Sequence, residues 1–200
     1  MKLIAILIFG FTLNTFGQFI SSYGIKGGMG ISNQVYENVS FPYKSYKGVS
    51  VRVFVDFFKE SDFQLETELG FIRRGRNGGA DVVPDVGVFY NDKYTNTIDY
   101  LTLSQLLKIK YPLGVIIPYI ISGFQYDILL NKNIESEDAL TFNSYKIFNI
   151  GMSVGIGSEV KNILSQSILV EYRYERDLFH NISFLRPINY SHVILLGIAF

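Results

Sequence analysis

The 200-residue chain has no cysteine and no tryptophan. Without cysteine there is no disulfide, no thiolate metal site, no cysteine nucleophile and no lipidated cysteine of the bacterial lipoprotein kind. Net charge is missing too, since 18 Lys and Arg stand against 18 Asp and Glu. A neutral chain lacks the basic field that nucleic acid requires, so no nucleic-acid partner is expected. Histidine is confined to His180 and His192, with no carboxylate pattern beside them. That matches no metal-ligand spacing, and neither a metal nor another cofactor is expected. Past residue 18 no stretch keeps a helical 3.6-residue apolar period, and none reaches the run of about 20 apolar residues of a membrane helix. What the chain does have is apolar side chains, 48% hydrophobic and 16% aromatic against 18% charged. That balance lies on the apolar side of a soluble average, as if something greasy faced more than a core.

The opening "MKLIAILIFGFTLNTFGQ" carries Lys2, an apolar stretch from Leu3 to Phe11, and Thr15-Phe16-Gly17 at its close. Small residues at the two positions a signal peptidase inspects predict a secretory signal over 1–17, leaving one domain over 18–200. The rest alternates. In "FNIGMSVGIG", Phe148, Ile150, Met152, Val154 and Ile156 share one face, opposite Asn149, Gly151, Ser153, Gly155 and Gly157. The stretches "VSVRVFVDFF", "FQLETELGF" and "SHVILLGIAF" repeat the pattern, and in "SILVEYRYERD" Val170, Tyr172 and Tyr174 alternate with Glu171, Arg173 and Glu175. A period of two residues is the signature of strands.

Eight such segments are predicted, over 20–33, 47–58, 63–74, 95–111, 116–129, 145–159, 164–176 and 189–200. Most reach the 9–11 residues that a tilted strand needs to cross a bilayer. The connections alternate long and short, with long ones over 34–46, 75–94, 130–144 and 177–188. This is the asymmetry of an outer-membrane barrel, with brief periplasmic turns and longer outside loops. An all-β, eight-stranded, antiparallel up-and-down transmembrane barrel is therefore expected, with both termini in the periplasm. Closure suits hydrocarbon, where every backbone polar group must be paired within the protein. A soluble barrel would put the bulky apolar face inside; here the opposite faces carry glycine, serine and charges.

The inward charges make the main candidate constellation: Lys26, Arg52, Asp56, Glu66, Glu68, Lys108, Lys110, Glu171, Arg173 and Glu175. A barrel of about eight strands has room inside for side chains but not for an open pore. Inward charges should then come as neighbours of opposite sign, since an unpaired buried charge costs several kcal/mol. The predicted strand order sets Arg52 and Asp56 beside Glu66 and Glu68, and those beside Lys108 and Lys110. The expected role is a salt-bridged plug rather than an ion path. "GIKGGMG" (24–30) lacks the helix that a phosphate loop needs, and its Gly24, Gly28 and Gly30 read as small inward residues around Lys26. "RRGRNGG" (73–79) reads as a solvated rim that would meet lipopolysaccharide phosphates if it met a ligand. His180 with Ser183, and His192 with Ser191, are the only hints of an enzyme, and neither pair shows a third, orienting member. The final Phe200, with Ile198 and Leu196 before it at alternate positions, resembles the C-terminal signature read by barrel-assembly machinery.

Taken together, "YGIKGGMGIS", "LETELGFIRRGRN", "IDYLTLSQLLKIKYPLG", "PYIISGFQYDILL", "VGIGSEV", "LVEYRYERDL" and "LLGIAF" resemble the PorT-like outer-membrane β-barrel family common in Bacteroidota. The chain departs from that family's frequent proline in the fourth strand, with Ser104 and Gln105 there. The resemblance implies a small, non-enzymatic integral outer-membrane protein. Its surface loops would serve interaction, envelope integrity or a secretion-associated role. Its expected surroundings are outer-membrane lipid and lipopolysaccharide, the assembly machinery during biogenesis, and an envelope or secretion-system partner. The competing readings are an outer-membrane lipid-modifying enzyme and a soluble periplasmic ligand-binding barrel.

Overall fold

The computed structural model describes residues 19–36, 44–58, 62–83, 87–133, 135, 147–161, 166–178 and 187–200. The predicted signal segment, and the loop holding His180 and Ser183, lie outside them. Eight strands follow one another: β1 (Ile20–Tyr36), β2 (Lys44–Phe57), β3 (Phe63–Val83), β4 (Gly87–Lys110), β5 (Ile116–Asn133), β6 (Phe148–Lys161), β7 (Ser167–Asp177) and β8 (Pro187–Ala199). Each pairs antiparallel with the next, and β8 returns to pair with β1, closing the barrel. Closure leaves no strand edge exposed along the wall.

The alternation in the sequence becomes the two sides of this wall. On β7 the exposed Ile168, Val170 and Tyr172 interleave with the buried Leu169, Glu171, Arg173 and Glu175. On β2 the exposed Val49, Val51 and Val53 interleave with the buried Ser50, Arg52 and Phe54. The bulky apolar side chains therefore face out, and the charges face in. Such an inside-out wall is unfavourable in water, where large exposed apolar patches drive association, and favourable in hydrocarbon. Aromatic residues gather at the two ends of the apolar band. Phe19, Tyr23, Phe63, Tyr111 and Phe200 are exposed at the end that carries the short turns, and Tyr126 and Phe148 towards the other.

At one short turn, Leu113 and Ile116 bridge across Gly114 and Val115, and Gly114 takes a φ of 73°, the left-handed conformation that a two-residue hairpin turn needs. The largest departure from expectation concerns 75–94, predicted as a glycine-rich loop. There β3 and β4 stay paired as far as Val83 and Gly87, so they run 21 and 24 residues against 11 for β7. Glycine and proline signal turns locally, but a strand can continue wherever its partner stays in register, and pairing here outweighs composition. The register slips once, between Asn77 and Gly79, where Gly78 has a φ of 96°.

Candidate functional site: a charged plug in the barrel bore

All ten inward charges named from the sequence point into the bore, and the structure brings them together. The innermost group centres on Arg173 of β7. Its guanidinium grips Glu68 of β3 with both terminal nitrogens, at 2.6 and 2.7 Å, reaches Glu66 at 3.0 Å, and contacts Glu171 two residues back on its own strand. Lys26 of β1 enters the same cluster, its Nζ lying 2.6 Å from Glu66, 2.9 Å from Glu68 and 3.2 Å from Glu171. Towards the short turns, Lys108 holds Asp56 at 3.0 Å and contacts Glu66, while Lys110 bonds Glu159 at 2.7 Å. Towards the long loops, Arg52 donates to Glu175 at 2.6 Å, and Arg74 to Asp127 at 2.6 Å and Glu175 at 3.0 Å. Arg52, Arg74, Arg173, Lys26 and Lys108 are among the largest fully buried side chains.

The expected pairing around the arc β2–β3–β4 is present, with Arg52 reaching Glu68 at 3.3 Å and Lys108 contacting Glu66. The register also sets Asp56 directly opposite Glu66, two acids side by side. The repulsion is relieved by Lys108, which touches both. Strand order did not foresee the further contacts that reach from β7 and β1 to β3.

Glycines make that reach possible. Several long polar side chains have a glycine as direct cross-strand partner: Lys26 faces Gly197, Arg52 faces Gly70 and Arg173 faces Gly155. A Cβ on those glycines would lie 2.9, 2.7 and 2.9 Å from the Cγ of the facing residue, so each side chain lies down over bare backbone. In one row Tyr119, Gly157 and Glu171 follow across three strands. The tyrosine ring covers the glycine, and its hydroxyl donates to Glu171 at 2.8 Å.

Sequence reasoning passed over Arg74, Asp127, Asp177, Tyr119 and Glu159, although a parity signal was present for them. Arg74 shares a face with Glu66 and Glu68, and Asp177 with Glu171. The stretch "RRGRNGG" is thus no solvated rim: Arg74 and Arg76 are buried at 2% and 0% exposure. Only Arg73 points outward among the three arginines, and it is held by Asp99 on the outer wall at 2.6 and 2.9 Å. Alternation also separates the sequence neighbours Ser191 and His192. Ser191 is buried in the bore, whereas His192 stands on the outer wall with Nδ1 2.7 Å from the Tyr172 hydroxyl. The wall of the barrel lies between them, so this pair cannot act as nucleophile and base. Among the described residues no group of acids and histidines is placed to hold a metal ion.

The family described as "Outer membrane protein beta-barrel domain" matches residues 10–183 of the chain. The chain belongs to this family. Its place in the outer membrane agrees with the apolar outer wall and the closed backbone. Among solved structures, Neisserial surface protein A is 13% identical with a TM-score of 0.53, over 88% of this chain and 95% of that one. The outer membrane protein OprG from Pseudomonas aeruginosa is also 13% identical, with a TM-score of 0.51, over 91% of this chain and 97% of that one. At such identity the likeness is one of fold. No curated protein matches the sequence significantly. Members of a barrel family share a wall rather than a chemistry, so the contents of the bore carry any functional statement. Those contents are a network of ion pairs and two apolar clusters, around Leu106 and around Val193.

Proposed function

We propose that this small outer-membrane barrel is non-enzymatic and non-conducting, and that its work is done by its surface loops, in interaction, envelope integrity or a secretion-associated role. The observation that carries this reading is the plug: Arg173 bound by Glu66, Glu68 and Glu171, with Lys26 on the same three carboxylates. Charges paired in this way leave no free base in the cluster, and their side chains occupy the bore between the strands. The finer assignment to the PorT-like, Bacteroidota group rests on the sequence stretches quoted above. We also take residues 1–17 as a secretory signal, both termini as periplasmic, and Phe200, Ile198 and Leu196 as the segment handed to the assembly machinery. Supporting that last point, Phe200 is exposed on the outer wall and stacks on Tyr23 at 6.0 Å.

Carbonate-washed membranes should retain the protein, and its unboiled gel band should shift on heating; recovery in the soluble periplasmic fraction would sink the proposal. Planar bilayers holding the purified barrel should show no stepwise conductance. Loss of a lipid A modification on changing His192→Ala would instead restore the enzyme reading. A pull-down from native outer membrane is the direct route to a protein partner.

A further inference from the structure

The apolar outer wall is broken in its middle. On β3, Thr67 stands midway between Phe63 and Phe71, and on β4, Gln105 stands midway between Leu101 and Ile109, all facing out. The two are direct cross-strand partners, and the Thr67 hydroxyl donates to Gln105 Oε1 at 3.1 Å. That bond satisfies the threonine and one lone pair of the amide. Among the described residues neither N–H donor of the Gln105 amide has a partner, at a depth where lipid tails offer none. Among the described outward residues of the apolar band Gln105 is the one amide. On the next strand, Ser122 is its diagonal neighbour, since Ser122 pairs with Leu107 and Phe124 with Gln105. The polar groups thus form one patch across β3, β4 and β5.

We propose that this patch is the centre of a two-fold interface between copies of the chain, with the Gln105 amides of the two copies bonded to each other. The inference rests on the outer-membrane reading. Insertion gives every copy the same depth and the same direction, so the two-fold axis of a dimer runs along the membrane normal. A residue on that axis then meets itself at equal depth. Few side chains can bind their own image, but an amide can, because each donates an N–H to the other's Oε1, whose second lone pair is free. Around it, the exposed Leu103, Leu107 and Phe124 supply the apolar packing that closes the interface against lipid. An acyl chain as neighbour would leave the donors unmet, whereas a second copy brings the acceptor needed.

The absence of cysteine makes the test clean. The purified chain carrying Leu103→Cys is inserted in phosphatidylcholine vesicles and treated with a short bis-maleimide, beside a chain carrying Leu196→Cys on the opposite wall. Leu103→Cys should give a covalent dimer in at least tenfold higher yield than Leu196→Cys. Adding Gln105→Leu to Leu103→Cys should lower that yield at least tenfold while the heat-modifiable gel shift is kept. The shift reports insertion, so failure of the barrel reading and failure of the dimer are read separately. Gln105→Met, unbranched and of similar volume, serves if the leucine variant loses the folded band. Equal cross-linking from the two walls, or a yield unmoved by replacing Gln105, would overturn the proposal.

Discussion

At the scale of single residues, the wall makes opposite demands on neighbours. Val170 and Glu171 are adjacent, yet one is 46% exposed on the outer wall and the other 1% exposed in the bore. Val170→Arg places a charge against hydrocarbon near the middle of the membrane and should cost about 2–4 kcal/mol. Equilibrium urea unfolding in vesicles, followed by the gel shift, measures it; a cost no larger than that of Val170→Leu would mean the faces are reversed. Inside the bore, the loss depends on how many partners are orphaned. Arg173→Leu strips the main cation from Glu66, Glu68 and Glu171 and should cost about 3–5 kcal/mol, as expected for breaking a buried ion pair from one side. Glu171→Leu removes one of three acids that share Lys26 and Arg173, so the same unfolding experiment should find it milder than Arg173→Leu. Which face each residue takes was legible, because the period of two follows from the backbone alone. The identity of its partner was not.

Among the elements, the closing seam between β1 and β8 is tightly drawn. A Cβ on Gly28 would lie 1.8 Å from the Ile194 carbonyl oxygen, and one on Gly24 would lie 2.0 Å from that of Ile198. Both obstacles are backbone, which cannot move without opening the seam. Neighbouring Gly27 faces out, and a Cβ there meets nothing within 4 Å. Gly28→Ala should therefore abolish the compact, heat-modifiable band, and Gly27→Ala should leave it intact. If both are tolerated, the seam is looser than its geometry states. The elements themselves were readable in outline: eight strands, in order, with alternating connections. The extension of β3 and β4 through Gly79 to Val83 was not, since turn-forming residues masked a pairing supported from across the hairpin.

For the whole molecule, closure turns an unusual composition into a stable one. The chain has more apolar residues than its small interior can hold, and that interior combines a charged cluster with two apolar ones, around Leu106 and around Val193. Outward apolar side chains are stable only where lipid meets them, and inward charges only where each finds its counter-charge. The two halves of this arrangement should fail separately. In detergent-free buffer the intact plug cannot rescue the wall, and the protein should aggregate, as light scattering would show. With lipid restored, raising salt should do little, because buried ion pairs are weakly screened. A salt-induced loss of the folded gel band would mean that the plug is open to water.

The sequence by itself determined the strands, the faces and the membrane setting, since each depends on the local alternation of side chains along an extended backbone. The same parity splits Ser191 from His192, a pair the sequence alone had set side by side as an enzyme hint. Only the closed barrel decided that Arg173 of β7 would meet Glu68 of β3, that Lys108 would reach past Glu66 to Asp56 of β2, and that glycines would sit beneath the long cations. Those contacts join residues far apart in the chain across a bore whose width and stagger belong to the whole ring of strands. No repeat along one strand encodes them.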